Sequence, residues 1–230
     1  MAYIQVVFND YMPQIWNTLM AAIGNEYGVA GLMGNLYAES GCTAYACQPS
    51  RPYNTCMTYI GNVDTNVINK TGFVYHGCSS TGGVASGQGG FGLAQWTYWS
   101  RKEALYDYWQ QYGGSIGNLT MQLAYLIQEL QNSFPTVWTA LLQASTVTAA
   151  SNIVLEIYEN PKDQSADVHD TRANYGTQIY TQYTGTTPVE PPTPQPSPVD
   201  PPSPEPQPPL QSQQIKTMPV WMYPSIRNRT

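Results

Sequence analysis

Along much of the chain apolar residues return every three or four positions, the spacing of helices that bury one face. After a short extended lead, Asn9 or Asp10 can cap a helix running to about Gly24, with Pro13 tolerated in its first turn. Ile15, Trp16, Leu19, Met20 and Ile23 make its buried face. A tight link leads into a second helix, Gly28 to Gly41 (GVAGLMGNLYAESG), around which the rest is organised. Its apolar stripe is Val29, Leu32, Met33 and Leu36, and Gly41 is free to take a left-handed cap conformation.

The pattern then breaks. Residues 42 to 90 are rich in Gly, Ser, Thr and Asn, and the spacing predicts an irregular lobe with a small hairpin around Thr71 to His76. From Ser100 the helical period resumes, with Ser100 and Glu103 spaced as a capping box for a helix to about Tyr112. Further helices are expected over Asn118 to Gln131, Pro135 to Gln143, Thr148 to Glu159 (stopped by Pro161) and about Ser165 to Tyr183. The expected architecture is therefore mainly α: one helical domain over residues 1–184 with a loop or β lobe inserted at about 42–90. Beyond it, residues 185–212 read as a proline-rich, extended linker. Residues 213–230, with Trp221, Met222 and Tyr223 beside three basic residues, read as a short disordered tail or an anchor.

Composition narrows the function. Only 10 % of residues are charged, against 18 tyrosines and 6 tryptophans, a surface suited to neutral polar ligands such as sugars. The net charge of −6 argues against a nucleic-acid partner, because phosphate contacts need clustered Lys and Arg. No apolar run approaches the length of a membrane span, and the start MAYIQVVFND lacks the basic and apolar regions of a secretory signal. Cys42, Cys47, Cys56 and Cys78 all fall in the lobe. Their spacing is not that of a zinc site, and a segment so poor in core needs staples, so disulfides are expected and no metal.

The candidate chemistry centres on Glu39. It lies on the edge of the second helix's apolar stripe, in its last turn, where lost hydration and the helix terminus both disfavour a charged carboxylate. A carboxyl that holds its proton suits a general acid, although a glutamate at a helix end also commonly frays into water. Gln95, Trp96, Tyr98 and Trp99 put an amide among ring faces, a plausible sugar-reading wall, and Tyr37 beside the acid is a further candidate contact. Trp99 and a neighbour equally suit a core. Hydrolysis of a glycosidic bond needs a second carboxylate, for which Asp64 in the lobe is the candidate.

With these motifs in hand, the chain resembles the phage tail lysozyme family over about residues 12 to 184. GLMGNLYAESG (31–41), GFGLAQWTYWSRKEAL (90–105) and YENPKDQSADVHDTRANYG (158–176) carry the resemblance, in that order. The first two also look like the ES and GLMQ motifs of goose-type lysozymes and lytic transglycosylases. The resemblance implies a helical lysozyme-like fold with a cleft between body and lobe, cutting the β-1,4 bond after N-acetylmuramic acid without a cofactor. Glu39 matches the catalytic acid and Gln95 the cleft glutamine, with Trp96 and Thr97 in the same motif. Glu159 matches a recurring acid read as structural, while Asn160 stands where the family more often has arginine. Peptidoglycan would be the substrate, phage tail proteins possible partners, and the bacterial wall the place of action, whether from the virion or at host lysis.

Three rivals remain at this level. If no carboxylate faces Glu39, attack by the muramyl 6-hydroxyl would give a lytic transglycosylase and a 1,6-anhydro product. A cysteine peptidase would need Cys42 activated by His76 or His169, but Cys42 follows a helix C-terminus, which raises a thiol's pKa. A tail or wall-binding protein with no activity is the third.

Overall fold

The computed structural model describes residues 4–48 and 50–189. Helix α1 is Met12–Ile23 and α2 is Glu26–Ser40. In the lobe, α3 is Tyr53–Asp64 and α4 is Lys70–Tyr75. Then come α5 (Trp99–Tyr112), α6 (Leu119–Ser133), α7 (Pro135–Leu142), α8 (Val147–Ile153) and α9 (Ala166–Thr184). The mainly helical fold expected from the sequence is what the structure shows. The proline-rich run and the segment after it lie outside the described residues.

Helix α2 is the axis of the molecule. Asn25 caps its start by accepting from the Gly28 N–H, and Gly41 (φ 63°) ends it in the left-handed conformation. Every residue from Gly28 to Leu36 is buried, so the expected single stripe was too narrow: α2 is enclosed on all sides, by α1, α7, α8 and α9. Glycines make that enclosure possible. A Cβ at Gly31 would sit 2.5 Å from the Ala150 Cβ, and one at Gly34 would sit 2.5 Å from the Arg172 carbonyl oxygen of α9. Periodicity counts apolar residues and so sees only the larger ones. The small face that lets three helices close on α2 goes unmarked.

Other differences have local causes. Tyr11, without a side-chain cap, directly precedes α1; Asn9 Oδ1 accepts from the Tyr11 N–H in the turn leading into it, while Asn9 Nδ2 donates to the Gly41 carbonyl and ties the lead to the end of α2. The Ser100 box does not form, because α5 starts one residue earlier, at Trp99, which puts Ser100 inside the helix; Glu103 pairs instead with Lys70 of α4 at 3.0 Å. The hairpin expected at Thr71 to His76 is helix α4, capped by Asn69 through the Gly72 N–H. Among the described residues, extended structure is limited to three isolated bridges, Cys47–Phe91, Cys78–Val84 and Phe91–Trp96.

Disulfide staples are corrected as well. All four cysteines are free and buried. The lobe does not need them bridged, because it has a core of its own: Tyr59, Ile60, Val63, Phe73 and Val74 are buried, with Phe73 edge-on to Phe91 at 5.2 Å. The thiols pack there as small apolar groups. Lys102 of α5 then locks the lobe to the body. Its buried ammonium donates to the carbonyls of His76 (2.8 Å) and Gly89 (3.2 Å) over the Phe73 ring, and burial pulls its pKa down to about 8. The expected outcome of a thiol assay follows from this packing. Native protein reacts slowly, all four thiols titrate in denaturant without reductant, and reductant leaves the melting temperature unchanged.

Candidate active site

Two adjoining hollows of about 280 and 250 Å³ meet at Glu39 and Gln95, which line both. The first runs toward the lobe past Thr43, Tyr45 and Arg51, and the second toward Tyr98, Arg101 and Glu159. Sharing these two residues, the two hollows, hereafter the groove, lie side by side at the C-terminal end of α2.

Three elements fix the groove's centre. The α2 end is bound to the 91–96 turn by Ser40, whose hydroxyl donates to the Leu93 carbonyl at 2.7 Å. Gln95 sits in that turn with φ 45°, a backbone state that costs a side-chain-bearing residue energy. Its Nε2 donates to the Ala46 and Gly92 carbonyls, so toward a ligand Gln95 offers acceptor capacity through Oε1. The third element is α9, which brings Arg172.

Arg172 changes the reading of Glu39. The sequence expectation was a carboxyl facing apolar neighbours, but Arg172 donates from Nη2 to Glu39 Oε1 at 2.5 Å and from Nη1 to Asn35 Oδ1 at 3.2 Å. Asn35 stands one turn before Glu39, so both grip one guanidinium from the same helix face. Asn35 is itself fixed, with Nδ2 donating to the Gly31 carbonyl and to Ser151. The Glu39 side chain remains 19 % exposed, open to the groove.

Glu159 is the second carboxyl of the groove. The segment expected as one helix from Thr148 ends as a π-turn, Val154–Glu159, closed by Asn160 in the left-handed conformation (φ 42°). Asparagine tolerates that conformation better than arginine, which accounts for the residue found there. Glu159 Oε1 is sealed from solvent and has no hydrogen-bond partner. Burial first, and then the charge of Glu39, raise its pKa to about 8 against the opposing pull of Arg101 and Arg172.

The remaining candidates separate cleanly. Tyr98 is exposed and lines the groove, packed at 5.8 Å against Trp99. Trp96 is wholly buried, and its Nε1 donates to Glu129, so it presents no face to a sugar. Tyr37 accepts from the Val7 N–H through its hydroxyl and packs edge-on to Tyr175, away from both hollows' linings. Asp64 is the last residue of α3 and accepts from the Ile116 N–H at 2.8 Å; it lines neither hollow. Sequence reasoning passed over Tyr45, which carries an edge-on ladder to Tyr53 (4.9 Å) and Tyr11 (6.0 Å) beside the first hollow.

Cys42 is not an activated thiol. Its Sγ donates to the Met33 carbonyl, and burial drives its pKa far up, the reverse of what a nucleophile requires. Among the described residues no group of three or more His, Cys, Asp or Glu is placed to hold a metal, and no helix is long and apolar enough to cross a membrane.

Comparison with family models gives a match to phage tail lysozyme over residues 10–183. No curated protein matches the chain.

Proposed function

The chain belongs to the phage tail lysozyme family, a lysozyme-like, peptidoglycan-acting group, and from that premise we propose that it is a muramidase. It hydrolyses the β-1,4 bond between N-acetylmuramic acid and N-acetylglucosamine, with Glu39 as general acid. The observation that carries this reading is the position of Glu39: a carboxyl at the meeting point of two hollows, open to the groove and aligned by Arg172 and Asn35. A polymer lying along both hollows would place a glycosidic oxygen over that carboxyl. Glu39 protonates the leaving oxygen as the sugar ring takes on oxocarbenium character. Gln95 accepts a hydrogen bond from the sugar chain. A phage particle or the lysing host would bring the protein to the wall, and tail proteins are its expected partners.

Tyr45 lines one hollow and Tyr98 the other, each with Glu39, and their rings supply stacking area for sugar faces. Tyr45→Ala and Tyr98→Ala are each expected to raise KM several-fold with kcat changed less than twofold, since each removes binding common to ground and transition states. Short glycan fragments that cannot reach both rings should show a smaller difference. Steady-state kinetics on soluble glycan chains of graded length check this.

The proposal is tested on purified sacculi. Release of soluble fragments bearing new muramic-acid reducing ends supports it. Binding to sacculi with no release would mark a wall-binding protein, and a released peptide stem with intact glycan would mark a peptidase.

A further inference from the structure

Glu159 has no role in the reaction as described so far, yet its surroundings are not those of a structural acid. A structural carboxyl is ordinarily saturated with donors, as Glu129 is by Trp96, Arg101 and Tyr158. Glu159 keeps Oε1 buried and unpartnered, an arrangement that native proteins rarely carry without a use. It lines the same hollow as Glu39. Its backbone is a π-turn ended by a left-handed asparagine, a costly local geometry that recurs at functional sites.

The charged groups facing Glu159 come from four helices: Glu39 of α2, Arg101 of α5, Glu129 of α6 and Arg172 of α9. Tyr158 adjoins it in its own turn. Glu39 is the strongest of these charges on it, and two like charges in one hollow are not both kept without cost. One proton on the pair removes the conflict.

We propose that Glu39 and Glu159 hold one proton between them, and that Glu159 is the positioning residue that delivers it to Glu39 when a sugar chain enters the groove. This deepens, and rests on, the muramidase reading. Glu39 is ion-paired with Arg172, and on this proposal the shared proton rests on Glu159 before a sugar chain binds. As substrate arrives, the Glu159 O–H gives its proton to Glu39, directly or through one water, leaving a Glu159 carboxylate. Glu39 passes that proton to the glycosidic oxygen while the C1–O bond breaks and the electron pair goes to the leaving oxygen. A water molecule then adds its oxygen to C1 and releases a proton to the pair, which restores the starting state. One water is consumed, and nothing is oxidised or reduced.

The test is the pH profile of kcat/KM in Glu159→Gln, which keeps the shape of the protonated side chain but has no proton to deliver. The expected result is activity within a few-fold of wild type at about pH 5, with the alkaline limb moved down by about one unit or more. At about pH 7.5 the loss is then about threefold or greater, approaching tenfold above about pH 8.5. Glu159→Asp should recover part of the alkaline limb. An unchanged profile, or a uniform loss that leaves the limb in place, overturns the proposal.

A second measurement does not depend on activity or on the fold of that variant. Because burial raises the Glu159 pKa in the folded chain, the stability tied to its proton is fully present below about pH 4.5 and is lost as pH rises toward about 8. The melting temperature of wild type should therefore fall across that window, and Glu39→Gln, which removes the like charge, should flatten the fall. An identical fall in Glu39→Gln overturns the pairing. Flattening in a protein that leaves sacculi intact would refute the muramidase reading while the shared proton stands.

Discussion

Glu39→Gln is expected to lower kcat on peptidoglycan by a factor of about 10²–10⁴, the usual contribution of a general acid, with the fold unchanged. The substitution is close to isosteric, and the new amide oxygen still accepts from Arg172, which Asn35 continues to hold. The guanidinium is therefore not left without a partner, so the melting temperature should move by only a few degrees. Circular dichroism together with a sacculus-release assay checks both halves. A loss below tenfold would mean that another group protonates the leaving oxygen.

Glu129→Ala is expected to give the largest loss of stability. Glu129 is 6 % exposed and accepts from Trp96 Nε1 at 2.9 Å, Tyr158 Oη at 2.8 Å and Arg101 Nε at 2.8 Å. Removing it strands the Arg101 guanidinium, which lies over the Phe134 and Tyr158 rings, together with two buried donors. Breaking a buried pair by deleting one partner costs about 3–5 kcal/mol. In a chain of this size that is a fall in melting temperature of about 6–20 °C, read by differential scanning calorimetry. Glu129→Gln should lose less, because one acceptor remains for the ring donors. A fall of under about 1 kcal/mol for the alanine variant would contradict this account of the body's polar centre. Arg101 also lines the groove, so a slackened network is expected to cost activity before the protein melts.

The helices were legible where large apolar residues recur at helical spacing and a local cap or proline marks the start. Helices α6 and α7 follow the spacing of Leu119, Leu123, Leu126 and Leu130 and the position of Pro135, and Asn118 caps as its place before the run suggests. The lobe was misread because buried Cys, Tyr and Phe were not counted as core, so a small packed unit looked like loop in need of staples. Glu39 could be singled out as a candidate because it stands at a helix end whose cap is local. Its partner Arg172 is 133 residues away, and no spacing rule reaches that far. Glu159 was placed by a period of 3.6 residues, which does not register the wider π-turn that aims it into the groove. Trp96 shows the opposite error: an aromatic in a sugar-like motif whose indole is a donor inside the body.

The central claim is that a proton on Glu39 breaks a glycosidic bond of peptidoglycan, and mass spectrometry of fragments released from purified sacculi tests it most directly. Wild type is expected to give disaccharide-peptide fragments ending in reducing muramic acid, and Glu39→Gln none above background. Fragments lighter by one water, the 1,6-anhydro form, would contradict hydrolysis. Equal release by both proteins would contradict the role of Glu39.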